Sequence, residues 1–148
     1  MGRVEKSIEL DVPVSTVYNQ WTQFEDFPKF MQGVQEVRQL DDSHLYWSAE
    51  IGGHQKQWYA SITQQEPDSV IAWESEGGAR NYGMVRFEEL SAGRCRITLT
   101  IEYDPEGIGE NIGDALGLVD RQVAGDLERF CDFIEGRQVE TGAWRGKV

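Results

Sequence analysis

Basic residues are scarce in this chain: 14 Lys and Arg stand against 26 Asp and Glu, a formal charge of -12. Such a balance repels phosphate backbones and anionic membrane surfaces at long range, so nucleic acid is excluded as an expected partner. The acidic residues are spread along the chain instead of massed in a tail, which reads as a solvated surface. Cysteine and histidine are also rare. Cys95, Cys131, His44 and His54 have no metal-ligand spacing, so neither a metal site nor a disulfide framework is expected. Both thiols fall within apolar patterns that would bury them reduced, and both histidines fall at strand ends or turns, as solvated surface residues. No apolar run reaches membrane-spanning length, and the first ten residues lack a basic stretch followed by an apolar one. A cytoplasmic protein without stable membrane insertion is the expectation. Lys6 occupies the position where a myristoylation motif needs Ser or Thr. The glycine-bearing stretch from Gly107 to Gly117 lacks the Lys and the preceding strand of a phosphate-binding loop, and no cofactor is expected.

What the chain does have is aromatic mass. The apolar fraction is a modest 39%, but five Trp, five Tyr and six Phe carry much of it, and each buries a large area. A length of 148 residues suits one domain that removes roughly two thirds of its unfolded surface from water.

The periodicity changes twice. Val4 to Asp11 reads as a strand; Val14, Val17, Tyr18, Trp21 and Phe24 then recur at helical spacing after Pro13, with Asp11 able to cap. Phe27, Phe30 and Met31 around Pro28 suit a second, brief helix ending at Gly33. From there to Tyr103 the period is two. Leu45, Trp47, Ala49 and Ile51 share a face, as do Trp58, Ala60 and Ile62, then Ile71 and Trp73, then Gly83, Val85 and Phe87, and finally Cys95, Ile97, Leu99, Ile101 and Tyr103. Turn signals at Gly52-Gly53, Glu66-Pro67-Asp68 and Gly77-Gly78 separate them, so five strands form an antiparallel meander with one wet face. Beyond Pro105, Ile108, Ile112, Leu116, Val119, Val123, Leu127, Phe130 and Ile134 step by three or four along one long amphipathic helix. The sheet must curl around that helix to bury both apolar faces. Residues 1–136 are expected to form this α+β domain, and 137–148, mixing charge and Gly with a lone Trp144, a partly ordered tail.

The early helix, the run Phe24-Glu25-Asp26-Phe27-Pro28-Lys29-Phe30-Met31, the Trp47 and Trp58 strands, Ile71-Ala72-Trp73-Glu74-Ser75 and the last helix together resemble the polyketide cyclase/dehydrase family. That family belongs to the START-like, helix-grip superfamily, and the resemblance runs from Val4 to about Ile134. It implies a curved antiparallel sheet wrapped around a long C-terminal helix, with two short helices between strands 1 and 2. It also implies a cavity between sheet and helix, which relatives use for lipids, quinones, polyketides or plant hormones. A few relatives catalyse cyclisation or dehydration, so the resemblance does not name one chemistry.

Size alternation among inward positions agrees with a cavity: Ala49, Ala60 and Gly83 are small, while Trp47, Trp58 and Trp73 are large. Interlocking close packing would produce the same alternation, and the family resemblance favours the cavity. Its expected lining is Trp47, Ala49, Trp58, Ala60, Trp73, Val85 and Leu99 from the sheet, with Ile112 and Leu116 from the helix. Phe27, Phe30 and Met31 read either as a lid or as a satellite core beneath a loop. Buried indole N–H groups need acceptors, which a ligand oxygen, a backbone carbonyl or water would provide. Glycines 109, 113 and 117 read either as loosening the helix start at a portal, or as a frayed end or close packing on a strand.

Catalysis has less support. Glu50, Glu74, Arg86, Arg96 and Glu102 fall on the polar parity, where they pair across the solvent face. Tyr103 and Tyr82 are the only plausible proton donors, and neither has an evident partner. The leading expectation is therefore a module that binds a hydrophobic small molecule as carrier or sequestering protein. The alternatives are a cyclase or dehydratase, and a lipid or quinone chaperone acting through an unidentified protein partner, which an exposed apolar patch near Phe27 to Met31 would favour.

Overall fold

Strand β1 (Gly2–Leu10) leads into helix α1 (Val14–Trp21), which buries Val14, Val17, Tyr18 and Trp21. Pro13 is the N-cap residue and its carbonyl accepts from the Thr16 and Val17 N–H groups. Asp11 does not cap this helix; its carboxylate accepts from Arg94 Nε at 2.8 Å. The second short helix is a 3₁₀ turn over Phe24–Lys29, with Pro28 inside it. The tighter winding lets Pro28 sit in a segment with few backbone bonds to lose.

The computed structural model describes residues 2–51, 54–76, 81–103 and 112–146, with side chains over 3–50, 55–76, 81–102 and 120–146. Strands β2 (Val34–Asp41), β3 (His44–Ile51), β4 (His54–Glu66), β5 (Val70–Glu76), β6 (Asn81–Ser91) and β7 (Arg94–Tyr103) follow in a meander. They form one sheet in the order β1-β7-β6-β5-β4-β3-β2, every neighbouring pair antiparallel. The meander thus has six strands where the alternation predicts five. Strand β2 has no clean period because it is a sheet edge, and only Val37 of its eight residues is buried.

Helix α2 (Ile112–Arg137) lies against β1 and buries Val123, Leu127, Phe130 and Ile134. The curved sheet and this helix make the helix-grip architecture that the pattern and the resemblance predict. On the opposite, wet face, Arg86 pairs with Glu5 at 3.6 Å, Arg96 with Glu9 at 3.5 Å and Glu88 at 3.3 Å, and Arg3 with Glu102 at 3.8 Å. Exposed pairs of this kind contribute about 0–1 kcal/mol each. No helix among the described residues is long and apolar enough to cross a membrane.

Candidate functional site

One end of the grip is filled with rings. Trp21 meets Phe130 edge-on at 4.9 Å and Phe27 at 5.5 Å, Phe30 meets Phe130 at 5.0 Å, and Tyr18 meets Phe87 at 5.1 Å. T-shaped pairs suit the ring quadrupoles and add roughly 0.5–1.5 kcal/mol each beyond burial. Phe27, Phe30 and Met31 are 0%, 2% and 8% exposed, so they are core and not an open apolar patch.

A polar clamp ties that segment to α2. Asp126 accepts from the Gln32 backbone N–H at 3.1 Å and pairs with Arg129, whose Nε donates to the Phe30 carbonyl at 2.9 Å. Burial pushes the Asp126 carboxyl upward, and the bonds from Arg129 and Gln32 only partly offset this. Gly33 belongs to the same closure, since a Cβ there would lie 2.9 Å from the Glu50 carbonyl and collide with the Gln122 side chain.

A second group of rings lines the sheet beside the plug. Trp47 touches Phe27 at 5.7 Å and stacks on Trp58, centroids 5.9 Å apart and planes 3° from parallel. Its other neighbour is Trp73, at 6.2 Å and 21°. The Trp47–Trp58 stack follows from register, because the two residues face each other directly across β3 and β4. Ala49, Ala60, Val85 and Leu99 are all buried on the same concave face. Trp58 and Ile101 are only partly buried. The small residue at Gly83 is not a gap: the Trp73 indole lies over it, with Cε2 and Cζ2 2.4 Å from where a Cβ would stand. Ile112 and Leu116 are in α2, but their side chains, that of Tyr103 and residue Gly109 lie outside the described residues.

Tyr82 takes the opposite side from Gly83, across from Glu74 and Glu102 in the neighbouring strands. Partial burial and then the Glu102 charge raise its pKa. It stands on the wet face, away from the indoles. His44 is exposed and held by Asp41, with Nδ1 2.8 Å from the carboxylate. Among the described residues no group of three or more His, Cys, Asp or Glu is arranged to hold a metal ion.

Two features left no mark in the pattern. A bulge between Ile62 and Gln64 shifts the β4–β5 register and places Gln65 inside, 1% exposed. The segment after α2 also docks on α1. The Thr141 N–H donates to Gln20 Oε1 at 2.9 Å, the Trp144 N–H to Thr22 Oγ1 at 3.0 Å, and Arg145 Nη1 to Asn19 Oδ1 at 2.6 Å. Arg145 also pairs with Asp68 at 2.9 Å and covers the Tyr18 ring at 5.4 Å.

Residues 10–131 match the family model described as polyketide cyclase/dehydrase and lipid transport. The chain belongs to that family. An uncharacterized 17.2 kDa protein of Streptomyces lincolnensis, another sequence relative, is 48% identical over 149 residues, covering 100% of this chain and 99% of its own. Proteins of known structure share the fold at low identity. The Zhui aromatase/cyclase from a Streptomyces species superposes with a TM-score of 0.76 at 16% identity, over 96% of this chain and 98% of that one. A START superfamily protein from Mycobacterium smegmatis gives 0.69 at 16%, over 93% and 97%. A protein from Deinococcus radiodurans gives 0.72 at 24%, over 91% and 98%. At these identities the shared property is the helix-grip architecture.

Proposed function

We propose that the protein binds a hydrophobic small molecule between the concave face of the sheet and α2, as a carrier or sequestering module of the cytoplasm. The observation that carries this reading is the row of three indoles, Trp58, Trp47 and Trp73, on the concave face beside the ring-filled plug. Family membership supports it, because the family's description joins cyclase chemistry with lipid transport. Affinity would come from apolar area removed from water, at roughly 25 cal/mol per Å², and selectivity would be broad. An exposed patch at Phe27 to Met31 would have favoured the chaperone alternative, and those residues are buried.

The test is native mass spectrometry of the purified chain for a co-purifying apolar molecule, with titration of anilinonaphthalene sulfonate as the reporter. Saturable uptake by the folded protein, weakened roughly ten-fold or more by Trp58→Ala, is the expected result. Absence of both a co-purifying molecule and probe uptake would overturn the proposal.

A further inference from the structure

Three elements of the ring-filled end meet at one short segment. Beyond α2 the chain turns at Gln138, whose φ of 61° lies in the left-handed region and whose N–H donates to the Ile134 carbonyl at 2.7 Å. The turn carries residues 140–145 back across α1. Gln20, fully buried, is the centre of the contact: its Oε1 accepts from the Thr141 N–H at 2.9 Å, and its Nε2 donates to Thr141 Oγ1 at 3.1 Å and to Asp26 Oδ2 at 3.3 Å. The Thr141 hydroxyl donates to the same Asp26 oxygen. Asn19 is held from two sides, donating to Glu140 at 3.0 Å and accepting from Arg145 at 2.6 Å. Arg145 then reaches the β4–β5 turn, where it pairs with Asp68, whose φ is 60°. Asn19, Gln20 and Thr22 are polar yet buried on α1, and each has a partner in this segment. Buried polar groups need such partners, so α1 is built to receive it.

We infer that residues 140–145 are a strap that locks the ring plug, so that Phe27 and Phe30 leave α2 only after the strap has left α1. The link is Asp26. It precedes Phe27 in the 3₁₀ turn, and the Phe27 carbonyl accepts from the N–H groups of both Phe30 and Met31, at 3.1 and 2.8 Å. Holding Asp26 against Gln20 and Thr141 therefore holds the turn from which both rings project. The strap is the weaker partner. Thr141, Ala143 and Arg145 are exposed, whereas Phe27 and Phe30 are buried against one another and, through Phe30, against Phe130. Segments with exposed backbone hydrogen bonds and few buried apolar contacts open at a lower free energy than packed core. A ring cluster shut off from water is thus made to depend on a set of surface hydrogen bonds and one ion pair.

The test is amide hydrogen exchange, resolved by residue, on the full-length chain. A Glu140→Ala, Arg145→Ala double variant cuts the contacts to Asn19 and Asp68 and leaves Gln20, Asp26 and every ring of the plug in place. Exchange at Thr141 and Trp144 is expected to rise roughly ten-fold or more, because hydrogen bonds to charged groups are lost. Exchange at Phe30 and Met31 is expected to rise by a similar factor. Faster exchange in the strap with Phe30 and Met31 unchanged would make residues 140–145 a passive appendage and overturn the inference, as would no change at any of the four amides. The unmutated protein gives a second reading that stands even where the double variant does not fold. In rising urea below the unfolding transition, Thr141 and Trp144 are expected to exchange at least as fast as Phe30 and Met31 at every concentration. Plug amides that open ahead of the strap overturn the inference.

Discussion

The Trp73 indole lies against Gly83, so close that a Cβ at position 83 would stand 2.4 Å from its Cε2 and Cζ2. The two residues are directly paired across β5 and β6. An aromatic residue opposite a glycine can fold over the bare backbone, and the ring so placed stacks on Trp47 with planes 21° apart.

Gly83→Ala is therefore expected to push Trp73 off its seat. Overpacking of a buried contact costs about 1–3 kcal/mol. Urea denaturation should read that loss, and a shift of tryptophan emission should accompany it. Stability equal to that of the parent would show that the indole has somewhere else to go.

Acid should release the segment after α2. Burial pushes the Asp26 carboxyl upward, but hydrogen bonds from Thr141, Lys29 and Gln20 outweigh it and hold the net value below the usual carboxylate range. A lowered folded value contributes stability that is present above the unfolded pKa and lost as pH falls through the folded one. Thr141→Val should remove much of that pH dependence. Amide hydrogen exchange at Thr141 and Trp144, compared between neutral and acidic buffer, provides the measurement.

Asp126 should behave in the opposite sense. Its carboxyl is raised by burial, so its contribution is most favourable below the unfolded carboxylate pKa and is lost as pH rises through the folded value. Relative to Asp126→Asn, the parent protein should lose stability between acid and neutral pH. Asp126→Ala is expected to cost about 1–3 kcal/mol at neutral pH, because the Gln32 N–H and Arg129 lose their acceptor. Denaturant midpoints at two pH values check both statements.

The thiols should be inert in the folded chain. Burial pushes Cys95 up to about 11; burial, Glu135 and neighbouring carboxylates push Cys131 up to about 12. At pH 8 a thiol with a pKa of 11 is only about one part in a thousand thiolate. Labelling by a disulfide reagent should be slow in buffer and fast in denaturant. Rapid native labelling of either would show that it is open to solvent.

The lessons of the sequence lie in particular residues. Alternation in Cys95 to Leu99 marks β7 because Cys95, Ile97 and Leu99 are buried and Arg96 and Thr98 are not, whereas β2 buries Val37 alone. Phe27, Phe30 and Met31 could be lid or core until Phe130 and Phe133, about a hundred residues later, are placed against Phe30. The docking of Thr141 and Arg145 on α1 has no local signature. Its partners are Gln20 and Asn19, and polar contacts between such distant residues impose no period on either segment.

Local chemistry alone thus determined the strand and helix order, the antiparallel meander and the helical stripe that the sheet must cover, since each follows from burial repeating every two or every 3.6 residues. Tertiary structure decided which small positions are occupied, as Gly83 is by Trp73, and which polar groups are buried, as Gln65 and Asp126 are. It also decided where three indole donors, those of Trp21, Trp47 and Trp58, stand without a partner among the described residues. The reason is physical: periodicity records which side of an element faces inward, while the fit of one side chain against another depends on register, bulges and neighbours far away in the chain.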